Sequence, residues 1–168
     1  MGRGREAHLY GGRMKVPEMA DSQKFAVAVH MLMILAAHKS GAAREAMTSA
    51  EMAKSVNANP VVLRRVISAL AQAGILATRA GAHGGVWLAR EPAAIALDGV
   101  RQAVDGAPVV CSRANVNNDC PVALAALGVI DGVAKRVDGA VRASLAELTL
   151  SDLVRQLPDD KGGQTAFA

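Results

Sequence analysis

The stretch "NANPVVLRRVISALAQAGIL", residues 57–76, opens with a helix-start signal, carries two adjacent arginines and ends its polar-apolar pattern at a glycine. Asn59 is a capping residue, and Pro60 falls in the first helical turn, where a missing N–H costs nothing. The predicted helix runs to about Ala73, with Gly74 as its stop. Val61, Val62, Val66, Ile67 and Leu70 are assigned to the core, which leaves Arg64, Arg65 and Ser68 outside.

The segment just upstream, "TSAEMAKSV" at 48–56, has Thr48 followed three residues later by Glu51. That is a capping box, and Met52, Ala53 and Val56 lie on one face behind it. Two helices joined by a short turn form a helix-turn-helix. A helix presented to DNA carries cationic and hydrogen-bonding groups near its N-terminal half, where they reach base edges and phosphates. Arg64 and Arg65 occupy that half. Downstream, "ILATRA" (75–80) and "GVWLAR" (85–90) read as two short strands linked by the "GAHG" turn, so a hairpin follows the second helix and makes a winged helix. The glycines do not form a nucleotide-binding loop, because no Gly-Lys-Ser/Thr and no long helix follow them.

Either side of this unit, the chain is helical. With Asp21 or Ser22 as N-cap, "KFAVAVHMLMILAAH" predicts a buried helix ending near Gly41. "IALDGVRQAVDG" (95–106) predicts a short helix. From Pro121, the apolar residues Val122, Ala126, Val129, Val133, Val137, Val141, Leu145 and Leu148 recur at steps of three and four. They mark one face of a helix of about seven turns. Gly128, Gly132 and Gly139 lower its propensity, so it depends on tertiary contacts. A second copy of the chain is the economical cover for that stripe, with packing back on the same chain as the alternative. Thr149 or Ser151 caps a last short helix, "SDLVRQL", before Pro158.

The expected fold class is mainly α: a winged helix-turn-helix with a two-stranded wing, plus a long C-terminal dimerisation helix. Its organisation is a flexible tail (1–20), the winged unit (21–92), a connecting helix and cysteine loop (93–120), the dimerisation helix with the short terminal helix (121–157), and a disordered tail (158–168). Met14 and Met19 leave open a later natural start. A chain of 168 residues that is 51% hydrophobic and 2% aromatic suits packed helices around one core. No secretory signal is visible, Glu6 stands where myristoylation wants Ser or Thr, and the run "FAVAVHMLMILAA" is broken by His30 and too short for a membrane span. A cytoplasmic protein is expected. Residues 21–90 carry 8 basic and 3 acidic groups, whereas residues 91–168 carry 7 and 10, so the charge of a polyanion binder lies in the first half.

Five segments in order, "FAVAVHML", "TSAEMAKSVNANPVVLRRVISALAQAGIL", "GAHGGVWLAR", "IALDGVRQAVDG" and "LTLSDL", make residues 21–154 resemble the Rrf-two family of bacterial winged-helix transcriptional regulators. "NANPVVLRR" and "NNDCPV" are most similar to its YwnA-like branch. The resemblance implies a homodimer with crossed long helices that binds a partly palindromic operator in double-stranded DNA. It implies that Thr48, Ser49, Asn59, Pro60, Val61, Arg64 and Arg65 lie at or near the DNA, and that Val122, Val129, Val133, Val137, Val141 and Leu145 line the dimer interface. Family wings commonly carry Arg-Gly before the turn. This chain has Ala80-Gly81, and Arg79 or His83 is the expected substitute in the minor groove.

The cysteines set the second departure. Cluster-binding members carry three closely spaced cysteines, whereas this chain has Cys111 and Cys120 separated by eight residues. An iron–sulfur cluster takes about four ligands, so no cofactor is expected, and zinc fails for want of a His pair. Cys120 precedes Pro121 at the start of the long helix, where free N–H groups and the helix dipole favour a thiolate. Cys111 is its candidate resolving partner, within one subunit or across a dimer; the alternative is that both thiols are structural. The leading function is a sequence-specific repressor with a possible thiol response. The alternatives are a winged-helix assembly module and an iron–sulfur sensor whose ligands extend beyond the two cysteines. No His and Asp arrangement makes Cys120 an enzyme nucleophile.

Overall fold

The computed structural model describes residues 20–38, 46–81, 84–110 and 120–158. The expected terminal tails lie largely outside them. Among the described residues, six α-helices and one hairpin follow in the order α1 (Ala20–Ala37), α2 (Ser49–Val56), α3 (Pro60–Gln72), β1 (Leu76–Arg79), β2 (Gly85–Leu88), α4 (Leu97–Val104), α5 (Pro121–Ala146) and α6 (Leu150–Val154), with a 3-10 turn at Pro92–Ala94.

The central helix is α1. Ala28, Met31, Leu32 and Leu35 are fully buried, and the helix packs on α2, α3, α4, α6 and β2. Burying a Leu or Met side chain contributes about 1.5–3 kcal/mol, which makes this helix the main apolar anchor. Its bounds differ from expectation. It begins at Ala20, so Asp21 and Ser22 lie within the first turn instead of capping it, and it ends at Ala37 instead of near Gly41. Asp and Ser suit a first turn as well as a cap, so the polar pair alone does not fix the boundary.

Local signals fix α2 and α3. The Thr48 hydroxyl accepts from the Glu51 N–H at 3.2 Å while the Glu51 carboxylate accepts from the Thr48 N–H at 2.8 Å, completing the expected box. Asn57 ends α2 in the left-handed region (φ 50°) and donates its N–H to the Ala53 carbonyl at 3.0 Å, a conformation Asn tolerates. Asn59 Oδ1 then accepts from the Val61 N–H at 2.8 Å to start α3. At its other end Gly74 takes φ +65°, and the Ile75 N–H donates to the Leu70 carbonyl at 2.9 Å. This is the hydrogen-bond pattern of a Schellman stop. Arg90 adds a donor there, reaching the Ala73 carbonyl at 3.1 Å.

The core face of α3 is Leu63, Val66, Ile67 and Leu70. Leu63, 1% exposed, takes a place expected of Val61, which is 49% exposed. Both are apolar, and the contacts made by α1 set the phase of the helix. The hairpin pairs Leu76 with Leu88 and Arg79 with Gly85 in antiparallel register. Met47 adds a bridge to Val86 on its other side, tying the entrance of α2 to the wing.

The core runs across the expected boundary at residue 92, since Ile95, Val100 and Leu150 belong to it. Two main-chain bonds close this seam: Leu97 N–H to the Leu148 carbonyl and Leu150 N–H to the Ile95 carbonyl, both 2.9 Å. Thr149, not Ser151, caps α6, in a second capping box with Asp152. The long helix stops at Ala146, so Leu148 belongs to this seam instead of the helical stripe.

Hydrogen bonds from Thr48 hold the Glu51 carboxyl below its ordinary value, and Thr149 does the same for Asp152. A carboxyl lowered by folding adds stability above its unfolded value and loses it as pH falls through the folded one. Thr48→Ala is therefore expected to cost about 1 kcal/mol at pH 7. The deficit should shrink on acidification below the ordinary value of 4.5, as read by thermal unfolding of parent and variant across pH.

Candidate nucleic-acid interface

The outward face of α3 is built by exclusion: with Leu63, Val66, Ile67 and Leu70 turned to the core, Pro60, Val61, Arg64, Arg65, Ser68 and Gln72 are exposed. No acidic residue occupies its first turn. Among the described residues no carboxylate pairs with Arg64 or Arg65. The Arg64 Nε donates to the Pro60 carbonyl at 3.3 Å, which lays the guanidinium back towards the start of the helix. Two cations near the positive end of a helix dipole are unfavourable on their own account. An external anion relieves that conflict.

An open groove of about 720 Å³ separates α3 from the wing, and its walls include Thr48, Ser49, Arg64, Ser68, Gln72 and Arg79. Four residues singled out in the sequence, Thr48, Ser49, Arg64 and Arg79, thus meet in one concavity. Asn59, Pro60, Val61 and Arg65 lie on the exposed surface of α3 and its cap but do not line that groove. Ser68 and Gln72 were not among the expected contacts; their spacings of four and eight from Arg64 are the signal that places them on its face. The Thr48 hydroxyl is engaged in the capping box and Asn59 Oδ1 in its own cap.

The wing is shaped by Gly84. A Cβ there would sit 2.2 Å from the Arg79 carbonyl oxygen, and the Gly84 N–H donates to the Gly81 carbonyl at 2.9 Å. Only glycine allows that approach. His83 lies outside the described residues.

The long helix α5 has 26 residues, of which Ala134 alone is buried. Val122 is 76%, Val129 68%, Val133 55% and Val137 36% exposed, while Val141 and Leu145 are half-buried. Leu124 and Ile130 add further exposed apolar surface.

Cys120 is half-buried and caps α5 through its backbone, without a side-chain bond to the helix. Cys111 lies outside the described residues. Among the described residues, no three His, Cys, Asp or Glu side chains converge to hold a metal ion.

The order of these elements, with a two-stranded wing after the second helix of a helix-turn-helix and a long helix beyond, agrees with the match of residues 21–156 to the Rrf2 family model, described as an iron-dependent transcriptional regulator. The chain belongs to the Rrf2 family. It is 36% identical over 138 residues to YwnA of Bacillus subtilis, which bears the name of an HTH-type transcriptional regulator; the match covers 81% of this chain and 98% of YwnA. A solved structure from Lactobacillus plantarum, titled as a transcriptional regulator, is 27% identical with a TM-score of 0.66, covering 77% of this chain and 86% of that one. CymR, the global cysteine regulator of B. subtilis, is 26% identical with a TM-score of 0.55, covering 80% and 95%. As an Rrf2 member the protein is a winged-helix, DNA-binding regulator of transcription and not an enzyme. Among the described residues no helix is long and apolar enough to cross a membrane.

Proposed function

We propose that this Rrf2 regulator is a repressor that acts in the cytoplasm as a homodimer on a partly palindromic operator. The observation that carries the reading is the unpaired cationic face of α3, Arg64 and Arg65, set beside the α3–wing groove. In this reading, α3 enters the major groove with Arg64 and Arg65 foremost, and Ser68 follows on the same face. Thr48, Ser49, Asn59, Pro60 and Val61 lie against the backbone and base edges at the helix entrance. Arg79 or His83 meets the minor groove from the wing. Two copies join through Val122, Val129, Val133, Val137, Val141 and Leu145, because water is otherwise left against most of that row.

Binding of a fragment selected from random-sequence DNA tests the assignment. Arg64→Ala and Arg65→Ala are each expected to keep the helical circular dichroism of the parent. A residue that reads a base should lose about 1–3 kcal/mol of affinity and relax one operator position; one that contacts phosphate should weaken all sequences alike. Unchanged affinity in both variants would reject the α3 assignment. Failure of the parent to retain any DNA would favour the assembly module.

Val133→Asp should give monomers or insoluble protein in sedimentation, since a buried unpaired charge is expensive; a monomeric parent would contradict the dimer. A thiol response is the finer reading, supported by the free, half-buried Cys120 at the start of α5. Oxidation by diamide would join its sulfur to that of Cys111, the two thiols giving up two protons and two electrons to reduce the diazene to a hydrazine. Oxidised and reduced parent should then bind the operator unequally, and Cys120→Ser should abolish the difference.

A further inference from the structure

The joint between the winged unit and α5 is ionic. Arg101 of α4 is 8% exposed, and its Nη2 reaches both the Asp138 Oδ1 of α5 at 3.3 Å and the Ala107 carbonyl at 2.8 Å. The same Asp138 oxygen accepts from the Val109 N–H at 3.2 Å. Three parts of the chain therefore meet at one ion pair: α4, α5 and the segment that leaves α4. One turn further along, the Arg142 Nε lies 3.8 Å from the Asp98 Oδ1. That buried carboxylate oxygen has no hydrogen-bond partner among the described residues, and Arg142 is its compensating charge.

These pairs admit one register. Along α4 the order is acid at 98 and base at 101, along α5 acid at 138 and base at 142, and the helices meet antiparallel. Sliding α5 by one turn in one direction sets Asp138 against Asp98. Sliding it in the other sets Arg142 against Arg101. Like charges at a half-buried joint are repelled, and each slip also strands a buried charge without its partner. Apolar packing gives little competing guidance, since Ala134 is the one buried residue of α5. Charge order along the side of α5 therefore adds to the main-chain bonds at its C-terminal end in specifying how the winged unit sits on the long helix.

We propose that Arg101 and Asp138 are positioning residues for DNA recognition: their ion pair fixes the pose of the winged unit on α5 and so sets the half-site spacing that a dimer accepts. The inference rests on the reading of α5 as the dimer helix and α3 as the DNA-reading helix. Each added base pair moves one half-site by about 3.4 Å and turns it by about a tenth of a revolution. A rigid joint must reject such a change, whereas a loosened joint follows it.

The test uses the full-length protein and a duplex selected by the parent from random-sequence DNA. The duplex is rebuilt with the half-site centres moved by one or two base pairs, and a second duplex carries a single half-site. The parent should lose about tenfold or more in affinity on each shifted duplex, the scale of a mis-set base contact. Asp138→Ala should flatten that preference to within about threefold while single-half-site affinity stays within about twofold, a combination that general destabilisation does not produce. Asp138→Asn, which keeps an acceptor for Val109 but drops the charge, should fall between them. It also serves if the alanine variant does not fold. Arg101→Lys, retaining charge, should restore most of the parental preference. A folded, dimeric Asp138→Asn protein with the parent's full spacing preference would overturn the proposal, as would a parent indifferent to spacing. A parent that binds no DNA or sediments as a monomer would instead bring down the functional reading beneath it.

Discussion

The structure depends on the burial of α1. Met31, Leu32 and Leu35 are removed from water by α2, α3, α4, α6 and β2, so elements far apart in the chain converge on one apolar helix. That convergence sets the phase of α3, because the side of α3 that meets α1 must supply Leu63, Val66, Ile67 and Leu70. The arginines face out as a consequence. Hydrophobic burial is non-directional and proportional to area, but a helix turned to the core on one face leaves the other, with Arg64 and Arg65, exposed to solvent.

A second consequence concerns the return of the chain. After α5, Leu148 and Leu150 bond back to the segment entering α4, and Leu150 enters the core. The long helix is therefore held to the winged unit at its C-terminal end by main-chain bonds and along its side by the Arg101–Asp138 and Asp98–Arg142 pairs. Its apolar row is left uncovered along most of its length. In the proposed dimer, the same helix that joins two copies also carries the two winged units, and rigidity in one joint is transmitted to the other.

The electrostatics divide along the same line. The exposed cations of α3 have no carboxylate partners among the described residues, while the cations at the α4–α5 joint are paired. Cations left without carboxylate partners keep their charge at the surface, whereas paired and half-buried charges specify geometry. A net charge of +4 for the whole chain does not distinguish these two uses.

The sequence by itself determined what is decided within a few residues. The Thr48–Glu51 box, the Asn59–Pro60 start, the Gly74 stop and the hairpin around Gly84 are signals read over three or four positions, and the helix-turn-helix with its wing follows from them. The seven-turn apolar period of α5 is equally local. What only the tertiary structure decided depends on partners distant in the chain. Val61 and Leu63 are both apolar, and the packing of α3 against α1, α4 and β1 selects Leu63 for the core. The start of α1 is ambiguous because Asp21 and Ser22 suit either side of a helix boundary. Thr149 was chosen over Ser151 by its bond to Asp152 and its place in the seam with Ala96. The pairing of Arg101 with Asp138 spans 37 residues, and no local pattern announces it, because an ion pair across two helices exists only once the core has brought those helices together.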